Sequence, residues 1–141
     1  MTPVPVVFLP GSLCDERVFA DQIRDLTRPA QVADLTLDDS FAAMAARVLS
    51  EAPPRFVLVG LSMGAIVAAE IAESAPDRVV GMALIDCNLN APDQHQLTTR
   101  QRWASDVRAG YFAKIVEEIT PEMSISPEIH GALLVEMARS V

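Results

Sequence analysis

Phe56-Val57-Leu58-Val59-Gly60-Leu61-Ser62-Met63-Gly64-Ala65-Ile66-Val67 reads as a buried strand, a sharp turn carrying one serine, and the start of a helix. Phe56 to Val59 is a short apolar run rich in β-formers, as expected of a parallel strand covered on both faces. Gly60 and Gly64 stand two residues either side of Ser62. A residue thrown off a strand end in a strained turn brings neighbouring backbone too close for a Cβ, so small residues are needed on both sides. Ser62 then stands clear of the sheet, and the following helix aims its partial positive N-terminus at any oxyanion formed there. The plainer reading is a glycine-bounded tight turn. A phosphate-binding loop is excluded because no Lys-Ser/Thr follows, and the glycine spacing is not that of a dinucleotide fingerprint.

Working from this segment toward the N-terminus, Val4 to Leu9 is nearly all apolar and predicts the first strand, with Pro10-Gly11-Ser12-Leu13-Cys14-Asp15 as the loop after it. Asp15 is positioned to cap a helix reaching about Thr27, with Phe19, Ile23 and Leu26 along one face. Arg28-Pro29 ends it. Gln31 to Leu35 predicts a second strand. Asp38-Asp39-Ser40 caps the next helix, whose Phe41, Met44, Ala45, Val48 and Leu49 form a full helical stripe, read as core rather than as a cofactor box. Pro53-Pro54 stops that helix.

Toward the C-terminus, the helix after Ser62 runs to Ala75 with Pro76 beyond it. Ile66, Val67 and Ile71 face the sheet, and Glu70, Glu73, Ser74 and Asp77 form a solvated face. Val79 to Ile85 is the fourth strand. This alternation implies an α/β fold, a parallel sheet of about four strands with helices on both faces. Ligand sites lie at the chain ends of such strands, where Ser12, Ser62 and Asp86 fall. From about Pro92 the character changes: Thr98 to Ala109, Phe112 to Ile119, and a segment opened by Ser126-Pro127 are helical, with no strand between them. The expected division is 1–91 and 92–141.

The 141 residues suggest a single sheet domain with this helical extension. Half the residues are hydrophobic and the net charge is −8, with 11 basic residues scattered among 19 acidic ones. That composition fits a packed core and argues against nucleic acid or an anionic membrane surface as partner. No apolar run approaches the roughly 20 residues of a membrane span. Met1 to Pro10 lacks the basic start of a signal peptide, so a cytoplasmic location is expected. Cys14 and Cys87 have no metal-ligand spacing, and no metal or cofactor is implied. Both fall at the ligand edge, but neither has the flanking glycines, so Ser62 is preferred as nucleophile.

Gly60-Leu61-Ser62-Met63-Gly64, between its strand and helix, resembles the nucleophile elbow of the α/β-hydrolase fold. The resemblance implies a partial α/β-hydrolase core followed by a helical cap segment, and a serine hydrolase acting on an ester, thioester or related carbonyl of a small apolar molecule. Pro10-Gly11-Ser12 stands where many members have His-Gly-X. The oxyanion donors are then the backbone N–H groups of Ser12, with Leu13 as the neighbouring option, and Met63. Leu84-Ile85-Asp86-Cys87-Asn88 is similar to the strand-to-cap passage of carboxylesterase, biotin-pathway and menaquinone-pathway members. Leu13, Trp103 and Phe112 are the implied pocket residues, with Ile115 and Leu133 further along the cap stripe.

Such a serine needs a histidine base and an orienting acid. The family places both after two further strands beyond the cap, so these residues read as the N-terminal portion of a longer enzyme or a truncated copy. Within them, Asp86 is the candidate acid and His130 the candidate base. The plainer reading makes His130 a half-buried packing residue beside Leu133, Leu134 and Met137, and His95 an exposed surface residue. Arg55 and Asp93 read as ordinary surface charges. The alternatives to an enzyme are a non-catalytic binding module derived from a hydrolase, and a chain that pairs with itself or a second polypeptide through the exposed sheet edge. An Asp nucleophile, as in a dehalogenase, is disfavoured by Ser62.

Overall fold

The computed structural model describes residues 3–124 and 126–141. It divides into two compact units, Met1–Asn88 and Leu89–Val141.

The first unit alternates strands and helices: β1 (Val6–Leu9), a 3-10 turn (Glu16–Phe19), α1 (Ala20–Asp25), β2 (Ala30–Val32), α2 (Phe41–Glu51), β3 (Phe56–Leu61), α3 (Met63–Ser74) and β4 (Val79–Ile85). The four strands form one parallel sheet in the order β2-β1-β3-β4. Alternation along the strands sorts side chains onto two faces. Val7, Leu9, Phe56 and Leu58 point to one face and are buried by Met44, Ala45 and Val48 of α2 and Val67, Ala68 and Ile71 of α3. Val6 and Phe8 point to the other, with Val57 and Val59, and are covered by Phe19, Ile23 and Leu26. Helices therefore cover both faces. Each fully buried Leu or Phe of this set contributes about 1.5–3 kcal/mol.

Arg78, just before β4, ties the opposite end of the sheet. Its guanidinium donates to the carbonyls of Leu49 (2.9 Å), Ala52 (2.8 Å), Pro53 (2.8 Å) and Pro54 (3.3 Å). It also lies over the Phe56 ring, 5.3 Å from the centroid. The last carbonyls of α2 and the turn after it are satisfied by one side chain.

Local structure departs from expectation at a few places, each with a physical cause. Asp15 does cap, accepting from the Arg17 N–H at 3.0 Å, but the helix from Asp15 to Thr27 is interrupted. Phe19 leaves helical geometry (φ −111°, ψ 10°) as it is buried against Phe8, ring centroids 4.8 Å apart. Only Ala20–Asp25 continues as α-helix, because Leu26 is extended and packs on the same cluster. The second strand is Ala30–Val32 rather than Gln31–Leu35. It pairs with a four-residue β1, and an Asp34 turn to Thr36 (2.9 Å) ends it, although Ala33 and Leu35 remain buried. Ser40 is the residue that caps α2, while Phe41 at the helix start is exposed.

The second unit is helical: α4 (Gln94–Arg108), α5 (Phe112–Ile119), a 3-10 turn (Thr120–Met123) and α6 (Pro127–Ser140). α4 begins four residues before Thr98 because Asp93 is not a plain surface charge. It forms a capping box with Gln96, its carboxylate accepting from the Gln96 N–H at 2.8 Å and the Gln96 side chain accepting in return. Arg102 of α4 pairs with Glu118 of α5 at 2.6 Å. Among the described residues, the buried ones are Ile115 and Val116 of α5, Thr120, and Leu134, Met137 and Ala138 of α6. Ser126 precedes α6 without a side-chain cap bond. No helix among the described residues is long and apolar enough to cross a membrane.

Candidate active site

The chain steps from β1 outward to β2, then returns across β1 to β3 and on to β4. The direction of winding therefore reverses between β1 and β3. The loops leaving these two strands diverge at that point and open a crevice at their carboxyl ends, the general ligand position of open parallel sheets. The loop after β1 is Pro10–Asp15. The residue after β3 is Ser62.

Ser62 is held in an unusual conformation. Its backbone has φ 51° and ψ −111°, outside any region an L-residue occupies freely, at a cost of roughly 1–3 kcal/mol. The surroundings enforce it. A Cβ at Gly60 would lie 2.6 Å from the Ala65 Cα and the Gly64 oxygen, and one at Gly64 would lie 2.0 Å from the Leu9 carbonyl oxygen. The strand end, the helix start and the end of β1 thus approach one another as only glycine allows. The Ser62 N–H donates to the Ile85 carbonyl at 2.9 Å, and its carbonyl accepts from the Ala65 N–H at 3.0 Å. The side chain is exposed. Met63 is the first residue of α3, so its N–H has no partner within the helix.

The loop after β1 sits against this serine. A Cβ at Gly11 would lie 3.4 Å from the Ser62 Cβ and from the Leu61 carbonyl oxygen. The Cys14 N–H donates to the Gly11 carbonyl at 3.2 Å, closing a four-residue turn. Leu13, its third residue, has φ 61°, while Ser12 is not in the left-handed region. The third position of this turn therefore lies in the left-handed region that favours glycine. Ser12, at the second position, is exposed and its N–H has no partner within the turn.

Asp86 follows β4 directly, one residue beyond the carbonyl that holds Ser62, and has φ 45°. Among the described residues, Leu13, Ser62 and Asp86 are the non-glycine residues with positive φ. All three follow strands at one edge of the sheet. Cys14 is buried, and burial first, then the neighbouring Asp15 charge, pushes its thiol up from the ordinary range. It is held as a neutral thiol, the wrong form for a nucleophile. Cys87 is half-buried.

The edge thus brings together Ser12, Leu13, Ser62, Met63 and Asp86, all within the first unit. Trp103, Phe112, His95 and His130 belong to the helical unit. Trp103 on α4 and Phe112 at the start of α5 are half-buried. The Trp103 Nε1–H is shielded from solvent without a partner in hydrogen-bonding geometry. Glu118, whose carboxyl is lowered chiefly by Arg102, also feels the indole weakly, but that contact falls short of a bond. His95 is exposed in the first turn of α4. His130 is exposed as well, not half-buried: it lies in the first turn of α6, ahead of the buried Leu134, Met137 and Ala138, and Leu133 is exposed beside it.

Sequence reasoning missed the strained backbones of Leu13 and Asp86. Asp tolerates positive φ better than most residues, so a strand-end Asp-Cys-Asn was a weak signal. Leucine gives none. The arrangement itself offers an exposed hydroxyl at a switch point, a helix N-terminus behind it and a second loop with an unpaired N–H. Those parts can perform acyl transfer if a base is supplied.

Known proteins share the fold. A thermophilic esterase from Thermogutta terrifontis superimposes with a TM-score of 0.78 at 25% identity, over 99% of this chain and 57% of that one. A hydrolase from Oleispira antarctica gives 0.73 at 15% identity, over 100% and 62%. A structure from a study of carboxylesterases of the thaumarchaeon Nitrososphaera gargenis gives 0.71 at 14%, over 98% and 57%. The last two show likeness of fold alone. The chain spans little more than half the length of the first of these, 57%. A search of curated proteins returns no match. The model of the alpha/beta hydrolase family matches residues 6–138, nearly the whole sequence, and the chain belongs to that family.

Proposed function

We propose that the chain is a serine hydrolase acting, through an acyl-enzyme on Ser62, on an ester, thioester or related carbonyl of a small apolar molecule. One observation carries the reading: Ser62 is kept exposed at φ 51° and ψ −111°, between glycines that leave no room for a Cβ. Strain of that size is retained where the position of a group matters more than its packing. The esterase likeness at 25% identity supports the reaction class.

In the proposed reaction the Ser62 Oγ attacks the substrate carbonyl carbon and a base takes the hydroxyl proton. The carbonyl electrons move onto oxygen, where the N–H groups of Ser12 and Met63 stabilise the charge by about 3 kcal/mol each. The intermediate collapses, the bond to the alkoxide or thiolate breaks, and the base returns the proton to that leaving group. Water then repeats the sequence to release the acid. The first unit contains no histidine. Asp86 is the candidate acid and His95 and His130 the candidate bases, each tested singly by substitution.

The test is hydrolysis of p-nitrophenyl acetate and butanoate by the protein purified from its source cells, with variants expressed in the same cells. Ser62→Ala should lower turnover at least about a thousandfold. Wild-type hydrolysis no faster than buffer, with Ser62→Ala no different, would leave a non-catalytic binding role as the better reading, and true turnover that survives in Ser62→Ala would place the nucleophile elsewhere. Loss in His130→Ala would assign the base to this residue, and retained activity would assign it elsewhere while leaving Ser62 in place.

A further inference from the structure

We infer that the outer edge of β4 pairs antiparallel with β4 of a second copy of this chain, about a two-fold axis at Met82. The inference stands apart from the serine-hydrolase reading. Among the described residues β4 pairs only with β3, so its other edge is open. The Ile85 carbonyl points inward, accepting from the Ser62 N–H at 2.9 Å. Backbone groups alternate in direction along a strand, so the N–H and C=O groups of Met82 and Leu84 point outward, where they need partners. The shift in the β3–β4 register lies at the start of the strand, between Phe56 and Val57, and leaves Gly81–Ile85 regular. Val79–Ile85 has no lysine, no proline and no charge to blunt that edge. Val80, Met82 and Ile85 stand exposed along it.

The sequence of the strand suits itself as partner. Laid antiparallel over its full length, the seven-residue strand centres on Met82. Val79 then faces the partner's Ile85, Val80 the partner's Leu84, and Gly81 the partner's Ala83, an apolar match at every position. The residues just outside are Arg78 and Asp86. The cation before one strand therefore comes alongside the exposed carboxylate after the other, at both ends. Sliding by two residues sets Asp86 against Val80 or Pro76 and loses that match. Sliding by one sets outward groups against inward ones. Charge and backbone direction thus select one register, and a two-fold axis makes the contact self-complementary.

The experiment is sedimentation equilibrium of the protein purified from its source cells, with Met82→Lys and Met82→Glu expressed in the same cells. Wild type should show a concentration-dependent species of twice the chain's own mass. At the axis Met82 meets the partner's Met82, so each variant alone sets like charges opposite each other. Each should weaken the dimer at least about tenfold, and an equimolar mixture of the two should dimerise again. That rescue excludes misfolding as the cause of the loss. A wild type that stays monomeric at all concentrations would overturn the inference. So would a dimer that persists unchanged in Met82→Lys, or a mixture that stays monomeric.

Discussion

Gly64 and Gly131 show how differently one residue type is used. A methyl on Gly64 would meet the Leu9 carbonyl oxygen at 2.0 Å, whereas at Gly131, inside α6, nothing lies within 4 Å. Gly64→Ala should therefore cost about 3 kcal/mol or more, and Gly131→Ala should gain about 0.5–1 kcal/mol by helix propensity. Urea unfolding midpoints of the two variants would move in opposite directions. Cys14 gives a second check. Burial raises its pKa, so the native thiol keeps its proton where the unfolded one loses it. Its contribution to stability is complete below the unfolded thiol's pKa and is lost as pH rises through the folded one. Iodoacetamide at pH 8 should modify Cys87 well before Cys14, as read by peptide mass. The tight turn at Ser62 was legible at this level because glycines two positions either side of a serine have a steric reason that sequence preserves. The strain at Leu13 was not, because nothing in leucine announces positive φ: the seat of Gly11 on Ser62 and the burial of Cys14 impose it.

The elements with complete sequence signals formed where expected. Val79–Ile85 is β4 as read from its apolar run, and α3 stops at Ser74, just short of Pro76. Ser40 caps α2. The segment from Asp15 to Thr27 failed because its helical stripe contained Phe19, whose burial against Phe8 outweighs helical continuity. Arg78 was illegible for a related reason. A lone arginine before a strand has no local pattern, yet it binds four carbonyls at the end of α2. Arg78→Ala should destabilise the sheet unit by about 2–3 kcal/mol, since charged hydrogen bonds are lost and carbonyls orphaned. Arg78→Lys should recover only part of that, because an ammonium cannot reproduce the guanidinium fork. Chemical denaturation of both variants decides it: equal stability to wild type would remove Arg78 from the account of how α2 is held.

Strand and helix alternation announced a parallel sheet, and the order β2-β1-β3-β4 follows from right-handed crossovers once α1 takes one face and α2 and α3 the other. That order puts the change of winding between β1 and β3, and so puts the loop of Gly11 beside Ser62. A base for Ser62 was not legible: both histidines lie in the helical unit, on exposed helix starts where spacing marks no chemical role. The outer strand β4 carries exposed Val80, Met82 and Ile85, an edge whose apolar side chains call for cover from outside the sheet. The direct test of Ser62 as nucleophile is fluorophosphonate labelling of the native protein, followed by trypsin digestion and fragmentation of the Phe56–Arg78 peptide. Attack by the Ser62 Oγ forms an oxygen–phosphorus bond and expels fluoride. The expected result is one label on Ser62, none on Ser74 of the same peptide, and no labelled peptide in Ser62→Ala. A protein that stays unlabelled, or that carries the label on another residue, would contradict it.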